Sequence, residues 1–376
     1  MKANIHFRKC EERFGKVDKS KDIIARFGKR YTNGIRGWQF SEAAIREYNA
    51  KGKLLTMDLD LPSGCWLDCV YCFAKEDAYY RPQKGDRPLK LEEIKETLLR
   101  AKQLGLQSAK IIGFGEPFAN PKILDFLDFA TENEITLCIF TAAYTLKENK
   151  FGGSLEKAVE FLHQHDVSLM VKFHTLDEAK EDSIVRREGY TKKRDRVLRA
   201  LLEHGGFTSG PFTRLGMENV IASQDIGELV EIYRYFKIFR NLYVDIDPPI
   251  PVGRTTTPEQ SESIGLQYSK ILELAGKIYQ MNKKYGVPTP GGVSQFLGGA
   301  PCSQLPNGIY VTLSGKVMTC CGGNEELGNL RETPSLEELF LKNPYRLNPE
   351  YGIYHQCPYR EKSGLLPKGW EREVET

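Results

Sequence analysis

Cys65, Cys69 and Cys72 stand in the run CWLDCVYC, three thiols within eight residues. As thiolates they are soft ligands, and the C-x3-C-x2-C spacing lets them wrap one small metal centre. A structural zinc site takes a fourth Cys or His at close spacing, and ferredoxin-type clusters take four thiolates. The local run stops at three, so a 4Fe-4S cluster held here keeps one iron open to a chelating ligand. A second set, Cys302, Cys320, Cys321 and Cys357, lies far down the chain in a C-x12-G-x4-C pattern that continues to Cys357-Pro358. Gly315 in Leu313-Ser314-Gly315-Lys316-Val317 is placed to turn a hairpin that brings Cys302 and Cys320 together.

The elements that must position these thiols alternate as βα units over residues 54 to 247. Six strands are expected: Leu54 to Asp60, Ala109 to Gly113, Ile135 to Thr141, Val167 to His174, Thr213 to Ala222 and Leu242 to Asp247. Helices include Leu91 to Leu104, closed by Gly105, and Pro121 to Asn133, with Asn120 as N-cap. Six such units with right-handed crossovers give an open, partial barrel. The first cysteine run falls in the loop at the C-terminal end of the first strand. Strand alternation puts Met170, Lys172 and His174 on one face of the fourth strand, and a lysine under the helix layer is costly, so Lys172 is expected in the barrel. Thr56, Asp58 and Asp60 align likewise, as do Tyr243, Asp245 and Asp247. His174, Asp245 and Asp247 are candidate substrate contacts.

Pro248, Pro249 and Pro251 break the texture, and one helix from Glu259 to Tyr285 leads into the second cysteine region. The expected domains are a basic arm over 1–53, the barrel over 54–250, and a linker helix with the auxiliary cysteine domain over 251–376.

The 376 residues are 40% hydrophobic and 27% charged, which fits a folded chain with a sizeable core. Net charge is only +3, so no whole-chain field calls for nucleic acid. Residues 1–53 alone are biased, with 14 Lys or Arg against 6 Asp or Glu, and read as a solvated basic arm. The opening residues lack an apolar leader core and no stretch is long enough to span a bilayer, so a cytoplasmic, membrane-free protein is expected. In that compartment nine cysteines point to metal rather than disulfides. Cys138 reads as core and Cys10 receives no role. His163 and His165 read as surface residues.

The cysteine run, with the aromatic Tyr71 before its third member and its place after the first strand, resembles the radical S-adenosylmethionine (radical SAM) superfamily. The resemblance implies an α/β fold, a partial (β/α)6 TIM barrel, whose 4Fe-4S cluster is chelated by S-adenosylmethionine and cleaves it to a 5′-deoxyadenosyl radical. Gly113-Phe114-Gly115-Glu116-Pro117 looks like the family's glycine-glycine-glutamate motif, with Glu116 accepting from the cofactor's amino group. Lys172, Arg186 (with Arg187 beside it) and Asn219 then fall where the family has cofactor contacts. The second cysteine set resembles the SPASM or twitch extension, which carries auxiliary iron-sulfur clusters. Where the family shows C-x2-C this chain has Cys357-Pro358-Tyr359-Arg360, so the fourth ligand is either Cys321 or an open iron. Adjacent residues point apart in an extended strand, and Cys321 needs a kink to join.

The resemblance thus implies a radical SAM oxidoreductase that takes hydrogen from an organic substrate and passes an electron to an auxiliary 4Fe-4S cluster. With only 53 residues before the first strand, a small molecule such as a sugar or natural-product intermediate is preferred over a ribosomal peptide, and a flavodoxin- or ferredoxin-type donor is implied. A non-catalytic iron-sulfur electron carrier is the rival of another class.

Overall fold

A computed structural model describes residues 2–20, 34–75, 86–146, 148–209, 212–287, 302–333, 335–348, 350–353 and 357–375. Its backbone is one nine-stranded sheet in the order β6-β5-β4-β3-β2-β1-β7-β8-β9, with β6 and β9 as its two ends, so the barrel stays open. The strands are β1 Thr56–Leu59, β2 Ser108–Ile111, β3 Thr136–Thr141, β4 Ser168–Lys172, β5 Leu215–Val220, β6 Tyr243–Asp247, β7 Gly308–Val311, β8 Lys316–Met318 and β9 Glu326–Asn329. The first six are parallel, each joined to the next through a helical crossover, and each lies within its expected run except β2, which starts one residue early at Ser108. β7 was not expected in this sheet. It adds parallel to β1 on the side away from β2, and β8 then folds back antiparallel through Gly315, whose φ of +86° makes the turn.

Alternation divides the sheet into two faces. Met57, Leu59, Ala109, Ile111, Leu137, Ile139, Leu169 and Val171 point to the helices and share the main core with Leu98, Phe126, Leu162 and Leu198. The other face holds Cys138, Phe140, Met170 and Tyr243, packed with Ile35 and Trp38. Interior positions on neighbouring strands also line up. Asp58 pairs in register with Lys110 and with Tyr310, and Lys172, Glu218 and Asp245 form a row across β4, β5 and β6.

Helix Leu91–Gln103 buries Leu91, Ile94, Leu98 and Ala101 at helical spacing and ends before Gly105 at φ +109°, as expected. Three expectations are corrected. The helix placed at Pro121 starts at Ile123, because Asn120 closes a short 3-10 turn, Pro117–Ala119, and its side chain accepts from the Lys122 amide. The helix from Glu259 is two, Pro258–Ser263 and Tyr268–Tyr285, separated where Gly265 takes φ +87° with its Cα hydrogen against Ser223. The basic arm is not wholly solvated. Lys2–Phe14 is a helix that buries Phe7, Cys10 and Phe14, with Phe7 edge-on to Tyr235 and Phe239 at 5.6 and 5.5 Å.

Candidate functional site

The loop after β1 carries Cys65, Cys69 and Cys72 and is clamped from two sides. The end of helix Glu178–Val185 accepts from it, with Asp68 N to Val185 O at 3.0 Å and Val70 N to Ile184 O at 2.9 Å. From beyond β6, Arg254 Nη1 donates to Asp68 O and Cys69 O at 2.7 and 2.9 Å, and its Nη2 donates to the Asp68 carboxylate at 2.7 Å. Arg186, a left-handed helix cap, reaches the same carboxylate at 3.1 Å. These two arginines hold Asp68 ionised below the usual carboxylate range. Cys65 is exposed, Cys69 buried and Cys72 half-buried, none is disulfide-bonded, and their charges act on one another. Burial pushes the Cys69 thiol up to about 12, and Lys172 opposes that shift. A soft cation is what stabilises the thiolates of such a set, so the donors fit an iron-sulfur cluster.

The β2 loop closes onto this one. A Cβ on Gly113 would lie 1.7 Å from Asp60 Oδ1, and one on Gly115, at φ +110°, 2.3 Å from Ser63 O. These glycines are required for the close approach of two loops. Glu116 is 2% exposed and accepts from the Ala142 amide at 2.8 Å and from the Thr141 hydroxyl, so it also ties β2 to β3. Burial raises its pKa. Its charge is felt at Cys65. Pro117 is buried behind it at the start of the 3-10 turn.

Between the strand ends lies a cavity. Tyr71 and Phe73 of the first cysteine loop line it together with Cys302, Cys320, Cys321 and Cys357, and Phe73 packs in one cluster with Cys320 and Cys321. Lys172 faces it as expected, paired with Glu218 at 2.9 Å and 5.4 Å over the Tyr71 ring. Asp247 lines it too, and burial pushes its carboxyl up to about 7. Lys110, which the sequence reading passed over, forms a fully buried pair with Asp58 at 3.0 Å, reaches Gln304 Oε1 at 3.1 Å and sits 4.7 Å over Trp38. Alternation on β2 was the signal for it.

Three candidates stand elsewhere. β4 ends at Lys172, and His174 does not line the cavity: its Nδ1 meets Glu181 at 2.9 Å, beside buried Arg194, and its ring lies 5.0 Å from that of Tyr71. Asn219 donates to the carbonyls of Phe173 and His174 at 2.8 and 3.0 Å and is thereby engaged by backbone. Asp245 is 1% exposed behind the cavity wall, its pKa raised well above the ordinary value by burial and by Asp247.

The four later thiols converge because the chain bends after β8. A bulge at Val317/Met318 and the turn through Gly322 put Cys320 and Cys321 on the same cavity, close enough to share a hydrogen bond, rather than on opposite faces. Helix Pro358–Lys362 delivers Cys357, braced by the Tyr359 hydroxyl against Thr319 and Glu325. Gly323 leaves room for that ring, since a Cβ would lie 2.3 Å from it.

Residues 60–220 match the family model of the radical SAM superfamily, and the domain they form is a radical SAM domain. No curated protein matches the sequence. Among solved structures, SuiB of Streptococcus suis bound to precursor peptide SuiA aligns with a TM-score of 0.59 at 15% identity, over 88% of this chain and 76% of its own. SuiB bound to S-adenosylmethionine gives 0.57 at 17%, over 82% and 70%. The anSMEcpe protein with bound AdoMet gives 0.55 at 14%, over 82% and 87%. At this identity the likeness is one of fold, and the fold is that of the radical SAM partial barrel. Among the described residues no helix is long and apolar enough to cross a membrane.

Proposed function

We propose that this chain is a radical SAM oxidoreductase of the SPASM or twitch type, with a cluster at Cys65, Cys69 and Cys72 and an auxiliary one at Cys302, Cys320, Cys321 and Cys357. The observation that carries the reading is one cavity lined both by Tyr71 and Phe73 of the first cysteine loop and by the four later thiols. Bound at the first site, a 4Fe-4S cluster supplies the electron that splits S-adenosylmethionine into methionine and a 5′-deoxyadenosyl radical. The chain's own residues then have separable tasks. Arg254, Arg186 and Asp68 hold the cysteine loop in shape. Glu116, whose charge is felt at Cys65, and Lys172, whose charge is felt at Cys69, offer an acceptor and a cation suited to an amino and a carboxylate group. Trp38, Phe140, Ile112 and Pro248 exclude water from the space between, and Asp247, neutral or ionised near pH 7, can receive a proton as a substrate radical gives up its electron. Cys321 is the fourth auxiliary thiolate, favoured by its place beside Cys320.

The substrate is an organic molecule of small size in the first reading. A peptide is the second, favoured by the SuiB complex with SuiA, whose fold covers 88% of this chain. Anaerobic reconstitution tests the whole: about two 4Fe-4S clusters per chain are expected. Replacing Cys65, Cys69 and Cys72 by Ala should leave about one, and the dithionite-reduced wild-type protein should release 5′-deoxyadenosine. Zinc at either site, or an intact first cluster that never cleaves S-adenosylmethionine with any substrate offered, refutes the corresponding half.

A further inference from the structure

Helices Leu155–Gln164 and Tyr190–His204 pack side by side in the helix layer. Glu160 and His163, three residues apart, share one face of the first helix, and His204 ends the second, 44 residues beyond Glu160. One ligand atom from each of the three lies within 4.8 Å of the other two. His204 Nε2 is 2.9 Å from Glu160 Oε2. The second carboxylate oxygen, Oε1, accepts from Gln164 Nε2 at 2.7 Å, which orients the carboxylate. Packing sets the two imidazoles. Their centroids are 4.6 Å apart, and the buried Phe207 stands edge-on to His163 at 5.5 Å and to His204 at 5.6 Å. Gly205 makes the turn at φ +72°, whereas Gly206 lies outside the left-handed region. A Cβ on Gly206 would nevertheless lie 2.5 Å from His163 Nε2 and 2.8 Å from His204 Cε1, so a glycine there lets the backbone close on both rings. None of these residues lines the cavity that holds the cysteine sets, and the radical reading gives them no task.

We propose that Glu160, His163 and His204 bind one divalent transition-metal ion, zinc by preference, which staples the two helices together. Two neutral imidazoles and a carboxylate are a zinc donor set with solvent in the fourth position, and the imidazoles select against magnesium and calcium. Neighbouring ligands on a tetrahedral zinc ion stand about 3.3 Å apart, so the half-exposed Glu160 carboxylate makes the adjustment that remains. When the ion takes Nε2 of His204, the ring proton moves to Nδ1. The bond given up is then the one that Nδ1 accepts from the Gly206 amide, at 3.2 Å. Arg214 donates to His163 O at 3.0 Å, but Asp166 meets its charge at 3.1 Å, so it does not face the ion uncompensated.

The test is anaerobic equilibrium dialysis of the full, cluster-reconstituted chain against micromolar zinc chloride. Zinc and iron are counted together, and zinc X-ray absorption reads the ligands. One zinc per chain is expected beside the iron, with nitrogen and oxygen neighbours at about 2.0–2.2 Å and no sulfur at about 2.3 Å. Glu160→Gln should weaken zinc binding by about tenfold or more, and the double change His163→Gln with His204→Gln should abolish it, both with iron unchanged. Zinc should raise the melting temperature of the wild-type chain and leave that of the double variant where it was. Zinc taken up only at millimolar concentration, zinc in sulfur ligation alone, or equal zinc in wild type and double variant overturns the proposal. Should the double variant fail to fold, Glu160→Gln, a change at a half-exposed side chain, decides alone: undiminished zinc affinity overturns it.

Discussion

Lys110 and Asp58 show how much of this interior is decided one side chain at a time. Both are almost fully buried, 3.0 Å apart, and Gln304 and Trp38 complete the surroundings of the ammonium. Burial alone raises the Asp58 pKa, and only the lysine's charge opposes it. Removing one partner strands the other charge in a medium that solvates it poorly. Lys110→Met should therefore cost about 3–5 kcal/mol. The double change Asp58→Leu with Lys110→Met should recover most of that loss, because desolvation of both charges disappears together. Chemical denaturation of the three proteins measures it, and a single variant as stable as wild type would remove the pair from the list of forces that hold the barrel interior.

Among elements, the segment after β6 has the most leverage on the first cysteine loop. Gly253 starts a 3-10 turn, Gly253–Thr255, at φ +64°, and a Cβ there would lie 2.5 Å from Phe73 O and 2.7 Å from Cys72 O. Backbone against backbone cannot yield as a flexible side-chain end can. The next residue, Arg254, donates into the loop through both guanidinium nitrogens named above. Gly253→Ala should add about 1–3 kcal/mol of strain and push the Cys72 backbone outward. The expected result is lower iron occupancy at the first site with the far-ultraviolet circular dichroism unchanged. Full iron content together with an unchanged melting temperature would mean that the turn tolerates the methyl group and does not set the loop.

For the whole molecule, the decisive fact is that β1 lies inside the sheet and not at its edge. β7 pairs with it from the C-terminal region, and the buried Asp60 accepts from Tyr310 Oη and Leu313 N, both at 2.9 Å, and from Phe114 N at 3.0 Å. The segment that carries the second cysteine set is thus also a structural neighbour of the first. Deleting residues 302–376 should expose the unpaired edge of β1 and leave Asp60 without two of its three donors, giving aggregation or loss of a cooperative unfolding transition. A soluble truncated chain that unfolds cooperatively at the wild-type temperature would show that the barrel stands without β7.

The sequence by itself determined the six parallel strands, the loop that carries Cys65, Cys69 and Cys72, and the inward direction of Lys172, because these follow from local spacing and a two-residue period. The same period would have found Lys110 had it been applied to β2. It could not find what depends on where an element stops: β4 ends two residues before His174, which binds Glu181 and does not line the cavity. Nor could it show that Cys320 and Cys321 turn to one side, since the bulge in β8 arises from pairing with β9. Arg254, Arg360 and β7 act on partners some 110 to 250 residues away. Contacts at that separation leave no periodic trace in the chain, and only the folding of the sheet brings them together.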